Sequence, residues 1–296
     1  MTTQPSTDDP VAWCRRRLVV PGHPLALTLP YAPADKRDAL VALSTVIGEI
    51  ASVPGDVSDA DVAQRKLGWW REALADGLPH PAVQAWLKSG AAQHVPALEF
   101  DPLIDAVALE IAPPRFEQVQ ALEQHCATIA GPGALLEAML VRENAELDED
   151  EAPTLVRLAA AGYRIRITRD LVLDARQERW LVPLELQAEY QLTRQHVVAG
   201  EGGRRLDALV RHMAGDAMRT IDTQIGELSA PAAWRNRHFL LRVQLDRNIG
   251  GKLLRKPSRV VEERVAPGRM SDAFSVWRRA RELRKNASAA RLPETA

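Results

Sequence analysis

Apolar residues recur along this chain at three- and four-residue steps, the period of a helix with one buried face. Over residues 35–53, Leu40, Leu43, Val46, Ile47, Ile50 and Val53 keep that spacing, and Pro54-Gly55 marks its end. Ser58, with Asp61 three residues on, predicts the capped start of a second helix. That helix carries Leu67, Trp69, Trp70 and Leu74 and closes near Gly77. A short helix follows His80-Pro81, and another spans about 101–112, before Pro113-Pro114. Residues 116–140 predict a long helix kinked or broken at Gly131-Pro132-Gly133, and 152–176 predict the next. Pro183 opens a short one. Beyond the loop at Gly200-Glu201-Gly202-Gly203, helices are expected over about 204–228, 232–255 and 271–285.

No stretch alternates as a strand would, so the expectation is an all-α, single-domain bundle of about ten helices with essentially no sheet. No internal repeat and no long linker divides the chain. Residues 1–20 read as a flexible lead-in, 21–288 as the domain and 289–296 as a flexible tail.

Composition sharpens this picture. Of the 296 residues 46% are hydrophobic, enough for a substantial core, while aromatics are only 5%. A formal net charge of −1 provides no global field for nucleic acid. Met1 to Pro10 is polar and acidic, unlike a signal peptide, and the apolar stretches read as shorter than a membrane span. Cys14 and Cys126 stand far apart without metal-ligand spacing, so a reducing cytoplasm is the simpler setting.

The chemistry-bearing candidates centre on Asp170 and Asp174, four residues apart in a helical segment and therefore on one face. Such a pair can hold Mg²⁺ when substrate phosphates complete the shell, although an isolated i,i+4 Asp pair is more often a solvated surface feature. Arg169 beside the pair and Arg179 five residues past it are candidate phosphate anchors. His125 beside Cys126 reads as structural, because no further ligand stands at suitable spacing. The Gly200 cluster follows no strand and does not read as a nucleotide loop. The run Trp277-Arg278-Arg279-Ala280-Arg281-Glu282-Leu283-Arg284-Lys285 is a solvated face by default; its other reading is peripheral docking on anionic lipid.

Several strings resemble the squalene/phytoene synthase family of head-to-head prenyl transferases. Arg169-Asp170-Leu171-Val172-Leu173-Asp174-Ala175-Arg176, followed by Arg179 and Pro183, is similar to that family's second aspartate motif. Lys66-Leu67-Gly68-Trp69-Trp70-Arg71-Glu72-Ala73-Leu74, then His80-Pro81, is similar to its tryptophan-pair helix. The likeness runs from about Leu29 to Val265. It implies a helical bundle around an elongated apolar cavity, prenyl diphosphate as substrate and Mg²⁺ as the cofactor of an intact site. On the matching positions it also implies diphosphate contacts from Glu49, Arg71, Arg169 and Arg179, with Asp170 and Asp174 as metal ligands.

The chain departs from that pattern on both walls. Where the family has a DDxxD-like motif, Gly48-Glu49-Ile50-Ala51-Ser52 retains only Glu49 as a carboxylate, and Val41 replaces a tyrosine. On the other side Tyr163, Arg166, Leu173 and Leu181 replace the expected residues, and Arg166 stands four before Asp170, poised to bridge to it. Ionising a diphosphate needs several metal ions around the leaving group, so these losses point to a degenerate, non-catalytic site. The Glu49-Ile50-Ala51-Ser52-Val53 string, with Tyr31-Ala32-Pro33, resembles a divergent branch that includes the mitochondrial complex I assembly factor. The expected function is therefore binding of a prenyl-type lipid or a partner protein, with respiratory-complex assembly as the setting that the branch resemblance implies. The alternative is an active Mg²⁺-dependent prenyl transferase of isoprenoid biosynthesis. The expected location is cytoplasmic, peripheral to a membrane at most.

Overall fold

The computed structural model describes residues 9–112, 114–142, 150–267 and 270–290. These residues form sixteen α-helices and three 3-10 turns, and no strand occurs among them. Proline opens α1 (Pro10–Leu18) and α2 (Pro24–Thr28), where its fixed φ suits a first turn. α3 (Arg37–Asp56) is the helix read from Leu40 to Val53; it runs past Pro54, whose missing donor falls in the last turn. α4 (Ala60–Asp76) is capped by Asp59, which accepts from the Val62 amide at 2.9 Å, so the cap lies one residue past the expected Ser58. Gly77, at φ 66°, ends it in the left-handed conformation that glycine tolerates.

α5 (Pro81–Lys88), α6 (Ala91–His94) and α7 (Asp101–Ala108) complete the first half of the bundle. The long central pair is α8 (Val119–Val141) and α9 (Glu151–Arg176). α8 passes through Pro132 unbroken, where a kink or break was expected. A Cβ at Gly131 would stand 3.1 Å from Val156 Cγ1, so the missing side chain lets α8 lie close against α9. The second half holds α10 (Leu184–Glu189), α11 (Arg194–Val198), α12 (Gly203–Glu227), α13 (Ala230–Arg235), α14 (Arg237–Arg255), α15 (Arg259–Glu262) and α16 (Met270–Ala289).

Two apolar clusters fill the interior. One gathers α9, α12 and α14 around Leu158, Ile165, Leu209 and Leu253; the other gathers α1, α3, α4, α5 and α7 around Leu40, Ile50, Trp70 and Phe100. α8 belongs to both, giving Ala134 and Ala138 to the first and Leu136 and Leu140 to the second. The expected flexible lead-in is corrected in part: Val11 and Cys14 of α1 are buried in the second cluster, and burial of that face holds the helix in place. Residues 1–8 and 291–296 lie outside the described residues. By length and mean hydropathy (1.3), residues Ala34–Asp56 could cross a membrane, contrary to the expectation from sequence, yet nine side chains of α3 are buried against protein. Cys14 and Cys126 are both buried, unpaired thiols.

Candidate functional site

α9 carries the aspartate pair, and each carboxylate is already engaged. Asp170 receives two guanidinium groups. Arg169 donates through Nε at 2.8 Å and through a terminal nitrogen at 2.5 Å, while Arg264, beyond α15, donates two bonds of 2.9 Å. Burial opposes ionisation of Asp170, but the bonds from Arg169 and Arg264 outweigh it and hold the carboxyl below its ordinary value. Asp174 takes one bond of 2.6 Å from Arg179, whose backbone amide also caps the Asp174 carbonyl at 2.9 Å. Here burial wins: it pushes the Asp174 carboxyl up despite Arg179, with Asp170 and Glu110 adding repulsion.

Arg179 is the hub of the site. Besides Asp174 it donates to Glu110, past the end of α7, and to the Tyr163 hydroxyl at 3.1 Å. Glu110 is closed on its other side by His125. Burial would raise the Glu110 carboxyl, yet the His125 and Arg179 contacts hold it down, whereas burial drives the Tyr163 phenol up to about 12. His125 thus has the structural role expected of it. Glu110 carried no sequence signal, because it lies in a short turn far from the motif it completes.

Arg166 does not bridge to Asp170, as its spacing suggested; it pairs with Asp246 of α14. A helical side chain leans toward the N-terminus, so Arg166 projects over the turn at Gly162 and away from Asp170. A Cβ at Gly162 would meet Asp246 Oδ2 at 2.6 Å, so the bare backbone there is what admits the aspartate. Burial raises the Asp246 carboxyl in spite of Arg166.

The remaining candidates pair with residues other than the two aspartates. Glu49 of α3 is bridged by Arg17 of α1 at 2.6 Å, and Arg17 lies 4.6 Å over the Trp13 ring. Arg71 of α4, the expected diphosphate contact, is turned to Asp101 (3.1 Å) and Asp105 of α7 in a surface ion pair. Of the tryptophan pair, Trp70 is 2% exposed and packs edge-on to His80, while Trp69 is 37% exposed.

These observations decide what the site can hold. Asp170, Asp174, Glu110 and Asp246 are each matched by an arginine, which leaves no excess negative charge to attract a divalent ion. Both oxygens of Asp170 are taken by donors that Mg²⁺ would have to displace. No group of three His, Cys, Asp or Glu side chains that could hold a metal ion occurs among the described residues. The donor set does not fit a magnesium cluster.

Beside Asp174 and Arg179, a cleft of about 10 Å³ is lined by Ile167, Leu171, Trp180, Leu181 and Val182. A more open space of about 220 Å³ lies between α12, α14 and α16, but polar side chains line most of it.

The chain belongs to the squalene/phytoene synthase family, whose model matches residues 20–271. It is 26% identical over 200 residues to a 15-cis-phytoene synthase from Enterobacter agglomerans, an alignment covering 66% of this chain and 65% of that protein. The chain thus spans somewhat under two thirds of the curated relative it matches. Among solved structures, it superposes on a dehydrosqualene synthase with a TM-score of 0.70 at 15% identity, covering 95% of this chain and 97% of that one. The squalene synthase HpnC from Alicyclobacillus acidocaldarius gives 0.65 at 16% identity, covering 83% and 94%. At such identities the structures establish the all-α fold and nothing finer.

Proposed function

We propose that this chain is a non-catalytic member of its family, acting by binding a partner protein or a prenyl-type lipid. One observation carries the reading: the carboxylates that would hold Mg²⁺ around a diphosphate are each closed by an arginine of the same chain. Ionising an allylic diphosphate needs metal charge on the leaving group. Arginine supplies charge but no Lewis-acid site, and here that charge is spent on carboxylates. The likeness of the Glu49 string to the branch containing the complex I assembly factor supports an assembly role, in the cytoplasm or at a membrane face.

The likeness to a phytoene synthase favours the second reading, an active Mg²⁺-dependent prenyl transferase. The two are separated by incubating the purified protein with farnesyl and geranylgeranyl diphosphate plus Mg²⁺ and measuring diphosphate release. No release above background is expected, and calorimetry should find weak Mg²⁺ binding at most. A prenyl product that disappears in Asp170→Ala would overturn the proposal.

A further inference from the structure

We propose that the outer face of α16 docks this protein on an anionic phospholipid bilayer. The inner face of that helix is fixed to the bundle. Val276, Ala280, Leu283 and Ala287 are buried, and buried Asp272 accepts from Lys252 of α14 at 2.9 Å and from Asn248 at 3.0 Å. The orientation of the helix is therefore set, and what it turns outward is a constant feature of the molecule.

The outward stripe runs Met270, Phe274, Trp277, Arg281 and Arg284, at successive three- and four-residue steps. Its first three side chains are large, apolar and open: Met270 is 91% exposed, Phe274 60% and Trp277 44%. The rings of Phe274 and Trp277 lie 5.5 Å apart, and the Arg281 guanidinium sits 5.7 Å over Trp277. Exposed apolar residues scattered singly need no explanation, but three side by side on one stripe of a fixed helix do.

Charge selects the occupant. In a chain of net charge −1, α16 carries five basic residues against two acidic ones. Of those two acids, Asp272 points inward to Lys252, and Glu282 is held by Arg279 at 2.8 Å. Arg278 has no ion-pair partner among the described residues, and it borders the polar space of about 220 Å³ together with Arg247 and Arg279. A helix lying flat on a membrane places its aromatic rings at the acyl boundary and its cations at the phosphates. A cluster of basic residues around an aromatic patch, with both acids of the helix already paired, matches the negative surface of an anionic lipid layer.

The test is co-sedimentation of the full chain with vesicles of phosphatidylcholine alone or mixed with phosphatidylglycerol. Binding is expected on the mixed vesicles only, falling as salt rises. The double variant Arg281→Glu/Arg284→Glu should weaken it by roughly ten-fold or more, since each basic residue near such a surface contributes about 1 kcal/mol. Trp277→Ser should weaken it comparably while leaving the far-ultraviolet circular dichroism unchanged, because both variants lie on the solvent face. Equal binding to neutral vesicles, or none to either, would overturn the proposal. So would a dimer seen by sedimentation velocity that Trp277→Ser dissolves, which would make a second copy the occupant. The inference is independent of catalysis, so diphosphate release would leave it standing.

Discussion

The lean of helical side chains toward the N-terminus chooses the partner of Arg166, sending it to Asp246 and leaving Asp170 to Arg169 and Arg264. The pairing has a pH signature. The Asp246 carboxyl is raised by burial, so in the folded state its charged form is disfavoured and stability is lost as pH rises through that folded value. Removing Arg166 should raise the folded value further. Arg166→Ala is therefore expected to cost about 1–3 kcal/mol at neutral pH, the range for a buried group stripped of its partner. The deficit should shrink as the solution is acidified and Asp246 takes up its proton. Urea unfolding at neutral pH and at successively lower pH checks this, and a deficit constant throughout would contradict the account.

Among the elements, α4 shows how one helix divides adjacent tryptophans between two environments. Positions 69 and 70 differ by about 100° around the axis, so only one can face α7 and the second core. Trp70 does so, packed against His80 with ring centroids 4.9 Å apart, and Trp69 stays at the rim. Trp70→Ala should cost about 3–5 kcal/mol, as large aromatic truncations in cores do, and Trp69→Ala well under half of that. Chemical denaturation of the two variants gives the comparison, and equal losses would refute the assignment. α1 contributes in a different way, by carrying Arg17 to Glu49 and closing the one carboxylate left on α3.

In the molecule as a whole, a buried polar chain ties the two halves together. Glu137 of α8 accepts from His238 Nδ1 at 2.6 Å and from Arg242, both on α14, and His238 Nε2 reaches the Thr28 hydroxyl of α2 at 3.1 Å. Burial alone would raise the Glu137 carboxyl, but Arg242 and His238 hold it below its ordinary value of 4.5. A depressed folded value contributes stability above the unfolded one, and that contribution is lost as pH falls through the folded one. Glu110, Glu151 and Asp170 act in the same direction. The protein should therefore keep its stability down to about pH 4.5 and lose it steeply below. Glu137→Gln should cost about 3–5 kcal/mol at neutral pH by stranding Arg242 and His238, and should flatten the acid limb. Thermal unfolding across pH 3–7 tests both, and an acid limb unchanged in the variant would count against the network.

Most helix positions, the Gly77 stop, the all-α class and the family likeness were legible in the chain because they depend on neighbours within a few residues. Apolar spacing places α3, α8, α9 and α12 to within a few residues, whereas the helix expected over 232–255 divides at Asn236 into α13 and α14. The Asp170–Asp174 spacing gave the shared face for the same reason. The local partners of those carboxylates, Arg169 and Arg179, stand within five residues, but the long-range ones were not legible. Glu110 and Arg179 are 69 residues apart, Arg166 and Asp246 are 80 apart, and Asp170 and Arg264 are 94 apart. Such pairs form only where helices cross, and nothing local in the sequence ranks one arginine above another as the partner of a given aspartate. Helical periodicity alone puts these acids on one face of α9. Arg169 and Arg179 reach them from the same stretch of chain, and tertiary packing decided what joins from afar, Arg264 on Asp170 and Glu110 on Arg179, because charges brought out of water must find partners across the bundle.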